Sequence, residues 1–327
     1  MIKNQWYVVL GSNEVKRKPV GVTRLNEKLV FYRDTKGKVH CLKDRCVHRG
    51  VSLSLGEVCG DDLICPFHGF EYDHTGKVKV IPAYGRNYQV PDRYKVVSYE
   101  TYESHGYIFI YYGSRPDSEP SYFTDLEGFT YSEMSEVWSV HYSRAIENQL
   151  DVVHVPFVHH NTIGKGKKYV VDGPLIQWLD EEKFEFYVYN RIEDGTIAKK
   201  PSDMRPPDPE KDFRLAFKFP NLWQNYIDDK IRITAAFVPI DEDHTKIYLR
   251  FYQCFLKVPL LSVLVNELAM IFNRKVLHQD RRVVLSQVPK KSMLKMSDIL
   301  IQGDLPILTY RKRRDQLLKL GENHEIQ

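Results

Sequence analysis

Apolar and polar residues alternate in short β-rich runs over the first hundred or so positions, with turn residues between the runs. Leu29-Val30-Phe31-Tyr32 and Val39-His40-Cys41-Leu42 flank the turn Asp34-Thr35-Lys36-Gly37, and Asp73-His74-Thr75-Gly76 is a second turn of the same kind. The pattern predicts a small antiparallel β-domain. It closes with Gly106-Tyr107-Ile108-Phe109-Ile110-Tyr111-Tyr112-Gly113, a nearly continuous buried-strand run. The polar, proline-bearing stretch from Ser114 to Pro120 marks a boundary, giving domains over 1–115 and 116–327.

Beyond it the element types mix. Phe184 to Tyr189 and Ile247 to Tyr252 predict strands, whereas Pro259 to about Val288 has helical periodicity. Lys199 to Lys211 contains Pro201, Pro206, Pro207 and Pro209 and predicts a long irregular loop, either a lid over a pocket or a surface insertion. The fold class is therefore α+β.

A chain of 327 residues suggests about two domains with real cores. With 47 Lys plus Arg against 43 Asp plus Glu the net charge is +4, which implies no nucleic-acid or membrane partner. The Met1-Ile2-Lys3-Asn4-Gln5 start lacks the apolar core of a signal peptide and no apolar run reaches membrane-spanning length, so a cytoplasmic protein is expected. Basic clusters at Lys165, Lys167, Lys168 and at Arg311, Lys312, Arg313, Arg314 read as solvated faces or as steering surfaces for an acidic partner.

The densest chemistry lies between Cys46 and His68. Cys46-Val47-His48 and Cys65-Pro66-Phe67-His68 each pair a thiolate with an imidazole, a ligand set that suits a [2Fe-2S] centre with Cys46 and Cys65 on one iron and His48 and His68 on the other. The same four residues also suit a structural zinc site. Against zinc, each half is followed by a glycine, Gly50 or Gly69, where a short turn can aim backbone N–H groups at bridging sulfides. Cys41, Cys59 and Cys254 remain, an odd number that argues against a disulfide framework; Cys59 lacks a histidine at the spacing the others share.

A second constellation follows the boundary. Asp151 and His154 lie three apart, on one face of a helix, and His159 and His160 follow Pro156, which would break that helix. Spacing alone does not choose between His159 and His160. On the later helix, Asp280 lies within an apolar stripe of Val276, Leu277, Val283 and Val284. A buried carboxylate there needs a metal or a distant arginine, or else the position is exposed.

Cys46-Val47-His48-Arg49-Gly50 with Cys65-Pro66-Phe67-His68-Gly69 resembles the Rieske domain of ring-hydroxylating and demethylating oxygenases. High-potential Rieske proteins carry an extra disulfide across these loops; Val51 and Phe67 stand at those positions here, which points to the oxygenase and ferredoxin branch. Asp151, His154 and His159 match the Asp-x-x-His-x-x-x-x-His pattern of that family, and Asp280 through Gln287 is similar to its acid-bearing helix. The resemblance implies that His154, His159 and Asp280 form a 2-His-1-carboxylate site for mononuclear iron. It further implies that Asp151 is an electron bridge to a cluster histidine of a neighbouring subunit, and that Asn148 lies close to the iron.

It implies an architecture as well: a Rieske domain, then a helix-grip catalytic domain in which a curved antiparallel sheet holds a long helix, assembled as a head-to-tail homotrimer. Electrons would come from NAD(P)H through a flavin-containing reductase, with or without a ferredoxin, and dioxygen would be used to hydroxylate or O- or N-demethylate a small aromatic or heterocyclic substrate. The short chain resembles the vanillate O-demethylase and dicamba monooxygenase type, and His48 to Val58 is also similar to the Rieske oxygenases of saxitoxin biosynthesis. Two other classes are carried beside this one: a Rieske-type electron carrier without oxygenase activity, and a zinc-stabilised binding module.

Overall fold

The computed structural model describes residues 1–323. They divide into two compact units, one of Met1–Tyr122 with Pro239–Asp241, the other of Phe123–Val238 with the residues from Glu242 onward. The first unit contains β1 (Gln5–Gly11), β2 (Val20–Arg24), β3 (Glu27–Arg33), β4 (Val39–Lys43), β5 (Glu57–Cys59), β6 (Asp62–Ile64), β7 (Glu71–Tyr72), β8 (Val78–Val80), β9 (Ser98–Tyr99), β10 (Thr101–Ser104) and β11 (Tyr107–Tyr112). They form three sheets, ordered β1-β11-β10, β2-β3-β4-β9 and β5-β6-β7-β8. Every strand pairing in the unit is antiparallel among the described residues, as the alternation predicts. One apolar cluster, including Val30, Tyr32, Leu42, Leu63, Phe70 and Tyr72, also encloses Cys46 and Cys65.

In the second unit, β12 (Thr130–Trp138) is followed by α1 (Tyr142–Leu150) and the short α2 (Val155–Val158). Then come β13 (Val170–Trp178), β14 (Lys183–Arg191), β15 (Arg214–Lys218), β16 (Leu222–Asp228), β17 (Ile231–Pro239) and β18 (Thr245–Gln253), and finally α3 (Pro259–Val284) and α4 (Leu305–Asn323). The seven strands make one sheet in the order β12-β18-β17-β16-β15-β14-β13. α3 lies along the β12 and β18 side. Ser132 donates to the Asn266 carbonyl at 2.9 Å, and Glu136 accepts from His278 at 3.0 Å and from Arg281 at 2.5 Å, tying strand to helix. This is the sheet-and-long-helix arrangement that the resemblance implies.

α3 begins at Pro259, whose fixed φ suits a first helical position. It ends at Val284 rather than near Val288. Pro289 disfavours helical backbone at the residue before it, and Ser286 Oγ donates to the Val283 carbonyl, capping the last turn. Residues 199–211 contain only one 3-10 turn, Pro201–Asp203. They are pinned by Lys199 N–H to Asp172 and by Arg205 to Asp212, at 2.8 and 2.6 Å, and none of them lines the pocket described below, so the lid expectation is corrected.

The basic run at Arg311–Arg314 is also unlike its expectation. Arg311 and Arg314 are 3% and 4% exposed, which excludes a solvated face for these two. Arg311 makes a bidentate pair with Glu147 of α1 at 2.7 and 2.9 Å and reaches Asp298 at 2.8 Å, while Arg144 joins the same two acids at 3.0 and 3.1 Å. Removing one member leaves a buried charge uncompensated. Glu147→Ala is therefore expected to cost about 3–5 kcal/mol, read as a lower denaturant midpoint at unchanged slope. A midpoint equal to that of the parent would mean that this network does not hold α1.

Candidate metal centres and an apolar pocket

The two cysteine–histidine loops of the first unit, Cys46-x-His48 and Cys65-x-x-His68, close their turns alike. Cys46 N–H donates to the Val51 carbonyl at 2.8 Å and Cys65 N–H to the Phe70 carbonyl at 2.9 Å, while the Gly50 and Gly69 N–H groups return to the Cys46 and Cys65 carbonyls at 2.9 and 3.1 Å. Gly50 and Gly69 close these turns at φ +74° and +71°, a region where a side chain is strained. The loops hold both thiols at 2% exposure and leave both imidazoles exposed, with the His48 and His68 rings 4.5 Å apart. Tyr72 Oη accepts from Val47 N–H at 3.0 Å and donates to Cys46 Sγ at 3.1 Å. Burial, reinforced by the neighbouring Cys46, pushes the Cys65 thiol up, although the Phe67 and His68 N–H groups oppose this.

Buried thiols facing each other, exposed imidazoles on the same side, and a hydroxyl aimed at one sulfur fit a sulfide-bridged iron pair. Cys59 is exposed on β5, and all five cysteines are free. No disulfide exists among the described residues.

In the second unit, α1 ends at Leu150 because Asp151 leaves helical backbone at ψ 121°. The break therefore comes at Asp151 rather than at Pro156, which instead opens α2. Asp151 Oδ1 accepts from the N–H groups of Val153 and His154 at 2.7 and 3.1 Å, and this turn brings Oδ2 to 3.5 Å from His154 Nδ1. The two residues meet through an Asx-type turn, not through a continuous helical face.

The triad expected from the resemblance converges. Ligand atoms of His154, His159 and Asp280 all lie within 4.8 Å of one another. Asp280 Oδ1 lies 2.9 Å from His159 Nε2 and 3.3 Å from His154 Nε2, yet neither approach has hydrogen-bond geometry and the oxygen is buried without such a partner. Lone pairs aimed at a common point rather than at each other fit a bound cation. His160 turns away, its Nδ1 lying 3.0 Å from the Phe157 carbonyl.

The outer ring nitrogen of His159 fixes its tautomer. His159 Nδ1 lies 2.9 Å from Gln279 Oε1, which also accepts from Thr162 Oγ1 at 2.8 Å; Gln279 Nε2 donates to Asn161 at 2.6 Å. An amide oxygen only accepts, so Nδ1 carries the proton and Nε2 faces Asp280. The outer nitrogen of His154, Nδ1, lies 3.5 Å from Asp151 Oδ2, an ion-pair approach without hydrogen-bond geometry. Burial opposes charge on His154, but Asp151 and Asp280 outweigh it and raise its affinity for a proton, while the two imidazoles lower the pKa of Asp280 against its burial; a cation at the same point competes with that proton. Sequence reasoning missed Gln279, because adjacent residues on a helix do not share a face and nothing near Gln279 marks it.

The triad lies in the wall of a cavity of about 610 Å³, within the usual range for small-molecule sites. Its lining is mostly apolar, with Leu215, Ile233, Leu249 and Phe251 from the sheet and Phe272 and Leu277 from α3. Asn148 lines it, with Nδ2 buried and without a hydrogen-bond partner among the described residues. Lys165 and Lys168 line it from exposed positions.

Residues 5–100 match the Rieske [2Fe-2S] domain family, and residues 138–320 match the vanillate O-demethylase oxygenase C-terminal domain family. The vanillate O-demethylase oxygenase subunit of a Pseudomonas species is 34% identical over 168 residues, covering 50% of this chain and 46% of that one, so the match spans about half the length of that relative. Methylxanthine N3-demethylase NdmB of Pseudomonas putida is 26% identical over 97% of this chain and 89% of its own. The solved structure of Pseudomonas putida NdmA superposes with a TM-score of 0.76 at 23% identity, over 98% of this chain and 91% of that one, a likeness of fold. A C-terminal oxygenase domain sets aside the pure electron carrier, and the Rieske domain sets aside the zinc module. The chain belongs to the vanillate O-demethylase type of Rieske oxygenases, monooxygenase and demethylase oxidoreductases that combine a [2Fe-2S] cluster with a non-heme iron.

Proposed function

We propose that this chain is the oxygenase component of a system that hydroxylates or demethylates a small aromatic or heterocyclic compound, with a relay domain over 1–115 and a catalytic domain over 116–327. Cys46 and Cys65 would hold one cluster iron and His48 and His68 the other, while His154, His159 and Asp280 would hold a ferrous ion. The observation that carries the reading is the convergence of two imidazole nitrogens and a buried carboxylate oxygen, within 4.8 Å, at the wall of an apolar cavity. When bound, the ferrous ion supplies open positions for dioxygen.

The chain's own residues do the remaining work. The apolar lining keeps water from the reacting carbon and holds the substrate against the triad. Asp151 sets a negative charge 3.5 Å from His154 Nδ1, and in a head-to-tail homotrimer its carboxylate would also accept from a cluster histidine of the next subunit. Asn148 offers a donor near the same wall. The two exposed cluster imidazoles would be the edge at which electrons leave, supplied from NAD(P)H by a flavin-containing reductase directly or through a ferredoxin. No helix among the described residues is long and apolar enough to cross a membrane, and a cytoplasmic location is consistent with that.

Gln279→Leu removes the acceptor that orients His159 and is expected to weaken ferrous-ion binding at the triad about 10- to 100-fold. Iron retained after dialysis against a chelator, with cluster absorbance as the internal reference, measures it; equal retention in variant and parent would remove Gln279 from the account. The reading as a whole is tested by supplying a reductase and NADH and screening methylated aromatic and heterocyclic compounds for coupled NADH oxidation, oxygen uptake and formaldehyde or hydroxylated product. Oxygen uptake without product for every compound would count against it.

A further inference from the structure

Over its first half, α3 is built inside out. Ser262, Asn266, Met270 and Asn273 recur every three or four residues on the side that packs against β12 and β18, each at most 9% exposed. Two strand hydroxyls hold that inner side: Ser132 bonds the Asn266 carbonyl at 2.9 Å and Thr130 accepts from the Asn266 amide at 3.4 Å. The opposite side carries Leu260, Leu261, Leu264, Leu268, Ile271 and Phe272, which are 48 to 87% exposed. A helix on a globular domain normally turns its apolar stripe inward, and a contiguous apolar patch left outside marks an interaction surface.

This outer side runs into the cavity. Leu260, Leu264, Leu268 and Phe272 are four apart and form one ridge along the helix. Phe272, at the end of the ridge, also lines the cavity, together with the exposed Ile163 and Phe213 and the exposed cations Lys165 and Lys168. Beyond Phe272 the helix surface turns basic. Arg274, Lys275 and Arg282 are exposed and make no ion pair among the described residues. Glu267 is the only exposed acid between Leu260 and Arg282.

Charge decides what covers the face. Pairing it antiparallel with a second copy about its midpoint sets the exposed Lys257 of one chain opposite Lys275 of the other, and parallel pairing sets Lys275 opposite Lys275. Like charges disfavour both arrangements. An apolar ridge flanked by unpaired cations suits an anionic bilayer instead, with leucines at the acyl boundary and cations among the headgroups.

We infer that the outer side of α3 docks on an anionic membrane surface, lying in the interface plane and opening the apolar cavity toward lipophilic compounds held in the bilayer. The chain's net charge of +4 argues against a membrane partner only as an average over all residues; the docking surface is a local exception to it.

Co-sedimentation of the holoenzyme with vesicles of phosphatidylcholine, alone or with roughly one-quarter phosphatidylserine, tests this. The protein is expected to bind the mixed vesicles and to bind pure phosphatidylcholine at least about 10-fold more weakly. Leu264→Glu combined with Leu268→Glu is expected to weaken binding at least about 10-fold while cluster absorbance and iron content stay parental. If that variant does not fold, Leu260→Asp, at a position 87% exposed, reads the same loss. In Phe272→Trp protein, brominated lipid is expected to quench emission beyond that of the four native tryptophans, which places the cavity mouth against the bilayer. Asp280→Ala protein is expected to bind vesicles as the parent does, so failure of the oxygenase reading leaves the docking intact. No binding to either vesicle, equal binding by parent and leucine variants, no added quenching, binding that depends on Asp280, or self-association of the parent that the leucine variants abolish would overturn the inference.

Discussion

Asp280→Ala is expected to lose about one of roughly three irons per chain while the cluster absorbance stays, and substrate-dependent oxygen uptake should fall by at least about 10³-fold. The reason is local. Asp280 is 3% exposed, its Oδ1 has no hydrogen-bond partner among the described residues, and both facing imidazoles present Nε2 toward it. Removing the carboxylate takes away the only anionic member of the triad and leaves two neutral nitrogens, one ligand short of the facial set that holds ferrous iron. The cluster loops lie in the other compact unit and do not depend on this side chain. Iron analysis together with visible spectroscopy checks both halves; unchanged iron content would contradict the assignment.

Asp151→Asn is expected to act differently. Val153 and His154 N–H groups, donating at 2.7 and 3.1 Å, can still be accepted by an amide oxygen, so the turn should survive. The charge opposite His154 Nδ1 is lost, along with the carboxylate able to accept from two imidazoles at once. Iron content should therefore remain near the parent value while product formation falls about 100-fold. Mixing reduced protein with substrate and oxygen, and following the cluster's visible bands, separates a slowed electron supply from a damaged iron site. Reoxidation at the parental rate would exclude Asp151 as the bridge.

Much of this was legible in residue order because it is local. Cys46-Val47-His48 and Cys65-Pro66-Phe67-His68 fold into turns closed within five residues by their own backbone, so spacing alone exposes the ligand set. His159 could not be separated from His160 by spacing; what decides is the direction of the short α2 and the Gln279 amide, which reaches back from α3, 120 residues later. Asp280 was readable as an acid in an apolar stripe, its partner atoms were not. The Arg311–Glu147 pair misled for the same reason: four consecutive basic residues look like a solvated face until α4 packs onto α1 and buries two of them.

The central claim is that one chain holds two chemically different iron centres. The Mössbauer spectrum of protein enriched in iron-57 and kept anaerobic tests it most directly. The account predicts a sulfide-bridged pair and a separate high-spin ferrous component in a ratio of roughly two to one, with the second component absent from Asp280→Ala. A spectrum containing only the bridged pair would contradict it.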